Sequence, residues 1–337
     1  MSVNKVKGCL FGMALGDALG ADTEFLNYDG IRARFPPNGP QELRGNPARV
    51  TDDTQMAIAV GDALLAVSPP YSPTSLAVEL KKTFIAWYDS PENDRAPGNT
   101  CLSSIENLMD GQDWHEATAI SSKGCGANMR VQPVGLLDVD DVTRAKISQF
   151  QAALTHGHPT GLASADITAF VIAELYKGSD PYSLPKRCRD YAQSQRRVYH
   201  DDWLGDLWQR AMIMPTAEDY IAHGWDEVLG VLDKLDEAFR QMDKLSDPCL
   251  ATGAGWIAEE AFATALFCFL MYPDDTLAVI RRAVFTSGDS DSIACIAGAF
   301  AGVYNGFDAL PADWVERIEY KAQLEKLADG LRGTTTR

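Results

Sequence analysis

The chain has 337 residues, 47 of them acidic and 30 basic, for a formal net charge of −17. That balance excludes a protein whose bulk surface grips nucleic acid: phosphate backbones demand clustered Lys and Arg, and the longest basic groups here are pairs such as Arg196-Arg197 and Arg281-Arg282. With 46% apolar and 23% charged residues, the composition is that of a globular protein, neither disordered nor fibrous.

From the N-terminus, Gly8, Gly12, Gly16 and Gly20 recur every fourth residue. Four-residue spacing lines them up on one helical face, although each glycine costs about 1 kcal/mol of helix propensity relative to alanine. Such a stripe signals close backbone approach to a neighbour. Asp17 lies beside this face, where an acid has no obvious place unless it orients a ligand or another carboxylate. Glu24 follows in the loop and suits either a surface or a site. Lys5 and Lys7 precede an apolar stretch, but it is short, glycine-rich and meets Asp17, unlike a secretory leader.

Val50-Thr51-Asp52-Asp53-Thr54-Gln55 opens an amphipathic helix carried on by Met56, Ala59, Val60, Ala63, Leu64 and Val67. Thr51 is a good N-cap, and two acids in the first turn complement the helix dipole, so the motif has a purely structural reading. Helical periodicity also predicts helices over 76–88, 142–154, 162–177, 185–197, 225–244, 256–271 and 275–284. Proline- and glycine-rich turns separate them at 36–40, 68–73 and 90–99. Lys123-Gly124-Cys125-Gly126-Ala127-Asn128-Met129-Arg130 has glycines that let successive amides face an anion, but it lacks the Gly-Lys-Ser/Thr ending of a P-loop, and an ordinary turn fits as well. Thr155-His156-Gly157-His158-Pro159 superficially suggests zinc. With five histidines in all and no His-x-x-x-His helix, zinc is not expected.

A second acidic knot, Ser287-Gly288-Asp289-Ser290-Asp291-Ser292, precedes another four-residue glycine series at Gly298, Gly302 and Gly306. Two such knots together, each crowding two carboxylates and hydroxyls into a helix start, form an oxygen-only ligand set suited to a hard cation such as Mg²⁺ or Mn²⁺. The seven cysteines include no Cys-x-x-Cys pair, so neither a disulfide framework nor a thiolate zinc site is expected, and a reducing cytoplasm is the simplest location. The longest apolar stretch, Ala261–Tyr272, falls short of the roughly 20 residues a membrane span needs. These features predict an all-α fold: one compact, orthogonal multi-helix domain over 1–332 with a disordered tail at 333–337. A site drawing on both Asp53 and Asp291 requires the two ends of the chain to share one body.

In chain order, Gly12–Gly20 with Glu24, Thr51-Asp52-Asp53-Thr54, Gly124–Arg130, Thr155-His156-x-His158-Pro159, Gly255-Trp256-x-Ala258-Glu259-Glu260-Ala261 and Gly288–Ser292 resemble the ADP-ribosylglycohydrolase family. The resemblance implies an all-helical domain with a binuclear centre of two Mg²⁺ ions, Mn²⁺ being possible, and ADP-ribose and an ADP-ribosylated protein as partners. On it, Thr51, Asp52, Asp53, Asp289, Asp291 and Ser292 match the metal ligands. Glu24, Asp52 and Asp53 match acids at the reacting centre. Gly124, Cys125, Gly126, Ala127, Asn128 and Met129 match the loop around the diphosphate, with His156 beside it. Many relatives have Asp-Thr-Asp-Thr in the second knot, whereas this chain has Asp-Ser-Asp-Ser. With Gly-Cys-Gly-Ala and Thr-His-x-His-Pro, that departure looks more like the arginine-specific branch. The expectation is a metal-dependent, cytoplasmic, monomeric ADP-ribosylarginine hydrolase, with another ADP-ribosyl linkage (serine or O-acetyl-ADP-ribose) or a non-catalytic, crystallin-like member as alternatives. The general acid and the adenine-stacking residues stay open.

Overall fold

A computed structural model describes residues 2–212 and 214–333. Its twelve helices of nine residues or more are numbered here α1 (Val3–Gly20), α2 (Asp52–Ala66), α3 (Pro73–Tyr88), α4 (Asn99–Met109), α5 (Asp141–Ala153), α6 (Pro159–Lys177), α7 (Leu184–Gln195), α8 (Ala217–Gln241), α9 (Ala258–Met271), α10 (Thr276–Val284), α11 (Ser290–Asn305) and α12 (Lys321–Gly333). The described residues contain no sheet, only three isolated β-bridges. The all-α expectation holds, and the helices form a single domain. None of them is long and apolar enough to cross a membrane.

At the centre, α1 and α11 run antiparallel, each buried along nearly its whole length. The glycine stripe explains how. A β-carbon added at Gly12 would sit 3.0 Å from the Gly298 carbonyl carbon, and one added at Gly8 would sit 2.9 Å from that of Gly302. One added at Gly20 would lie 2.5 Å from Asp291 Cα. The backbones touch where side chains would otherwise separate them, which carries the end of α1 to the start of α11. Aliphatic and aromatic side chains such as Leu10, Phe11, Ile293 and Phe300 fill the surroundings with no measurable exposure.

Several boundaries differ from the sequence reading, each for a local reason. Helix α8 begins at Ala217, upstream of the predicted start, because the Thr216 hydroxyl caps it by accepting the Asp219 amide at 3.1 Å. Gly306 does not extend the glycine face: at φ 86° it terminates α11. Helices α4 and α12 had no recognised pattern, and α12 absorbs Gly333. The rest of the expected tail, 334–337, lies outside the described residues.

Candidate active site

Both acidic knots sit where helices begin, and α1 ties them together. Asp17, fully buried on α1, accepts hydrogen bonds from the amides of Thr51 (3.0 Å) and Thr54 (3.1 Å) and from the Thr54 hydroxyl. It therefore caps α2 from a neighbouring helix and aims the Thr51-Asp52-Asp53 turn, which matches the second of the two duties its position suggested, orienting other carboxylates. Thr51 Oγ1 adds the expected local cap by accepting the Asp53 amide at 3.3 Å. Across the interface, the Asp289 amide donates to the Ala254 carbonyl at 2.9 Å, and Asp291 Oδ1 accepts the Ser292 amide at 3.0 Å. Ser290 Oγ lies 2.8 Å from Thr23 Oγ1, which pins the Glu24 loop against the second knot.

The result is a nearly dry cluster of acids. Thr51, Asp52, Asp53, Asp289, Asp291 and Ser292 are all buried, and Glu24, Asp289 and Asp291 each bring a carboxylate oxygen within 4.8 Å of the others. Among the described residues, no Lys, Arg or His forms an ion pair with Asp17, Glu24, Asp52, Asp53, Asp289 or Asp291. Burial, and then the Asp291 charge, pushes Asp52, Asp53 and Asp289 well above the usual carboxylate range and Glu24 up to about 9. Asp17 rises to about 7 for the same reasons, despite its three donors. Asp53 Oδ2 is buried without any hydrogen-bond partner. Several carboxylates cannot stay ionised side by side in a low-dielectric site without a compensating cation. The all-oxygen donors, the orphaned Asp53 oxygen and the absent basic partners thus fit a hard divalent cation.

The glycine loop stands beside this cluster, in a turn spanning Cys125–Ala127. An antiparallel bridge holds it to the start of α9: the Cys125 amide donates to Trp256 O at 3.2 Å and the Ala258 amide to Lys123 O at 2.9 Å. Its second half faces inward. Ala127 and Asn128 have no exposure, Asn128 Nδ2 donates to Ala258 O at 3.1 Å, and Met129 packs beneath the second knot, its carbonyl accepting from Gln132 Nε2 at 2.7 Å. The amides of Asn128 and Met129 both return to Cys125 O. With the Cys125 amide also spent, on Trp256 O, the amides left for a ligand are concentrated at Gly124 and Gly126, a narrower face than the full 124–129 run. Arg130, the last residue of the motif, is fully buried, donates to Gln151 and Thr155, and lies 4.4 Å from the Phe84 ring centroid.

His156 explains why Gly126 lacks a side chain: a β-carbon there would fall 2.9 Å from His156 Cε1 and 3.2 Å from Nε2. Burial, helped by Arg130, lowers the imidazole pKa to about 3, so the ring is neutral. Thr155 Oγ1 accepts from Arg130 Nη2 at 2.8 Å and lies 2.8 Å from His156 Nδ1. A Thr155 hydroxyl donating to Nδ1 puts the ring proton on Nε2, which lies toward Gly124 and Gly126. The other histidine of the motif, His158, caps α6 by accepting the Thr160 amide at 3.2 Å.

The sequence model of the ADP-ribosylglycohydrolase family matches residues 2–337. The chain belongs to this family. ADP-ribosylarginine hydrolase Tri1 of Serratia proteamaculans is 25% identical over 98% of this chain and 79% of its own. ADP-ribosylhydrolase ARH3 of Homo sapiens is 27% identical over 98% of this chain and 93% of its own. A solved ADP-ribosylglycohydrolase-related protein complex superposes with a TM-score of 0.70 at 22% identity, covering 99% of each chain, and shares the fold. Membership makes this glycohydrolase-family chain a hydrolase of ADP-ribosyl compounds, and the acidic cluster of Glu24, Asp289 and Asp291 is where a cation could be held.

Proposed function

We propose that this glycohydrolase releases ADP-ribose from arginine side chains of proteins, hydrolysing the N-glycosidic bond between the ribose anomeric carbon and the guanidinium. The observation that carries this reading is the convergence of Asp52, Asp53, Asp289, Asp291 and Glu24 into one buried, basic-residue-free cluster next to Gly124–Gly126 and His156. Thr51, Asp52, Asp53, Asp289, Asp291 and Ser292 would hold two Mg²⁺ ions, or Mn²⁺. Such ions, when bound, orient the ribose hydroxyls and lower the pKa of a bound water.

The chain's own groups then divide the work. The carboxylates of Asp52 and Asp53 hold and steer the attacking water, accepting its proton as the carbon–oxygen bond forms. The carbon–nitrogen bond breaks, and the leaving guanidine takes a proton from a neutral carboxylic acid. Glu24, half-buried beside Asp291 and raised to about 9 in the metal-free protein, is assigned as that donor. The amides of Gly124 and Gly126 and the Nε2–H of His156 face the diphosphate. Beyond them, a cavity of about 210 Å³ lined by Ile120, His158, Pro159, Met214, Tyr220 and His223 offers an apolar seat for adenine. Trp256 does not serve there, because it stacks on Phe25 at a centroid distance of 6.1 Å, next to the Glu24 loop.

The decisive experiment presents defined arginine-, serine- and O-acetyl-linked ADP-ribose substrates with Mg²⁺. Arginine release should dominate, and Asp53→Ala or Asp291→Ala should abolish it while the helical fold persists. Turnover at wild-type rates in either variant would refute the assignment of the cluster. Exclusive release from serine or O-acetyl esters would favour the second reading, which the likeness to ARH3 supports. The oxygen-bearing side chains at all six ligand positions argue against a non-catalytic member.

A further inference from the structure

An open cleft of about 560 Å³, lined by none of the cluster acids, lies between the short helix Tyr28–Arg34 and α10, with the segment after α8 on a third side. Its lining is unlike the rest of this acidic chain. Arg32, Lys244, Arg281 and Arg282 all face it. Elsewhere cations are commonly matched to carboxylates, as Arg189 is to both Asp233 and Asp236. In the cleft, Arg281 alone has such a partner, Glu42 at 3.3 Å. Arg32, Lys244 and Arg282 form no ion pair among the described residues.

These cations are held close together by aromatic rings. The guanidinium carbons of Arg32 and Arg282 lie 5.1 and 5.9 Å from the centroid of one ring, that of Tyr28, and Lys244 Nζ lies 4.3 Å from the Tyr272 ring. Tyr28 is itself stacked on Phe285 at 4.2 Å and 13°. Cation–π contact offsets part of the repulsion between like charges but does not neutralise them. Arg282 is the informative member. It is 7% exposed, its two terminal nitrogens are spent on the carbonyls of Phe285 and Ser246, and its Nε is buried without a partner. The two nearby acids are otherwise engaged: Asp275 caps α10 through the Ala278 amide at 2.9 Å, and Asp243 accepts the amides of Leu245 and Ser246.

We propose that this cleft is a second ligand site, for a small molecule carrying a diphosphate group. Its volume lies in the range of small-molecule pockets, and the exposed Arg32 guanidinium and Lys244 ammonium, the latter also donating to Met271 O, stand beside the charges of Arg281 and Arg282 and match the charge of paired phosphates. The shared chemistry is the diphosphate, whether free or borne by a nucleotide. The site is separate from the acidic cluster, and the proposal does not depend on which linkage that cluster cleaves.

The test is calorimetric titration of the full chain in a metal-free, chelator-containing buffer, with sodium pyrophosphate in one arm and ADP in the other. Wild-type protein should bind pyrophosphate, His156→Ala should bind it with the same affinity, and Arg32→Ala/Lys244→Ala should bind it at least tenfold more weakly. Tighter binding of ADP than pyrophosphate identifies a nucleotide site, and equal binding identifies one for inorganic diphosphate. Both substituted side chains are exposed, so the double variant should melt with wild-type protein. If it melts early, Lys244→Gln, which keeps its stem over Tyr272, carries the same comparison with a smaller loss. Equal affinity in wild type and double variant, loss confined to His156→Ala, or binding of an octaglutamate peptide but not of pyrophosphate would each overturn the proposal.

Discussion

Two glycine-to-alanine substitutions should move stability in opposite directions, although helix propensity favours alanine at both. At Gly298, on α11, the new β-carbon would lie 2.8 Å from the Gly12 carbonyl carbon and nearer still to its oxygen. Ordinary contact begins at 3.4 Å, so even the carbon contact is 0.6 Å too short (3.4 − 2.8), and what must yield is the backbone of a buried helix. Overpacking of this kind costs about 1–3 kcal/mol and sometimes more, against which alanine regains about 1 kcal/mol. Because the clash is backbone on backbone, with no rotamer to relieve it, the upper end applies and the net loss should be about 2 kcal/mol. At about 2.1 cal/mol/K per residue, the whole chain has an unfolding entropy near 0.7 kcal/mol/K, so Tm should fall by about 3 °C. At Gly230, exposed on α8, a β-carbon meets nothing within 4 Å, and the propensity gain should appear undiminished as a Tm rise of about 1 °C. Calorimetric melts of both variants, beside arginine-linked ADP-ribose hydrolysis, check the pair. The Gly298 variant should also lose activity, because the seam it opens sets Asp291 against the Glu24 loop. A Gly298→Ala protein that melts above wild type would refute the contact argument.

The pH dependence of metal-free protein has a definite sign. Asp17, Asp52, Asp53 and Asp289 have folded-state pKa values raised above their unfolded ones, so the folded state binds the extra protons. The stability they contribute is fully present below the unfolded value near 4 and is lost as pH rises through the folded values, about 7 for Asp17. Chemical denaturation in chelator should therefore show stability falling from pH 5 to pH 8, and saturating Mg²⁺ should remove most of that fall; a rise over the same range would contradict the buried, unpaired cluster. His156→Ala should weaken ADP-ribose binding about tenfold. Since the imidazole stays neutral far above its pKa of about 3, the ratio to wild type in titrations should be flat from pH 5 to pH 9, and a ratio that grows toward acid would assign it a charged role.

What could be read from the sequence divides along local and distant causes. The Thr51-Asp52-Asp53 and Asp289-Ser290-Asp291 knots and the glycine stripes were legible because each is a contiguous motif at a helix start or on one helical face. The partners of Asp17 were not, since Thr51 and Thr54 are 34 and 37 residues away and only the fold selects them. The inward turn of Asn128 and Met129 was equally hidden: a glycine-rich string states that amides can converge on an anion, but not that Cys125 O and Ala258 O already occupy them. Arg130, which closes the motif, is fully buried against Phe84, a placement that nothing in the string itself announces. The basic cleft left a single trace, the Arg281-Arg282 pair, because Arg32 and Lys244 join it from more than 200 residues apart.

The antiparallel embrace of α1 and α11 also bears on how the protein is made. Helix α1 leaves the ribosome about 270 residues (290 − 20) ahead of α11, so its glycine face must wait while the chain between them is synthesised. Contacts at such separation form late and slowly. A product cut short before Ser290 lacks both Asp291 and the wall that Gly8 and Gly12 pack against. The seam thus acts as an order check, joining the first acidic knot to the second only once α11 has been delivered.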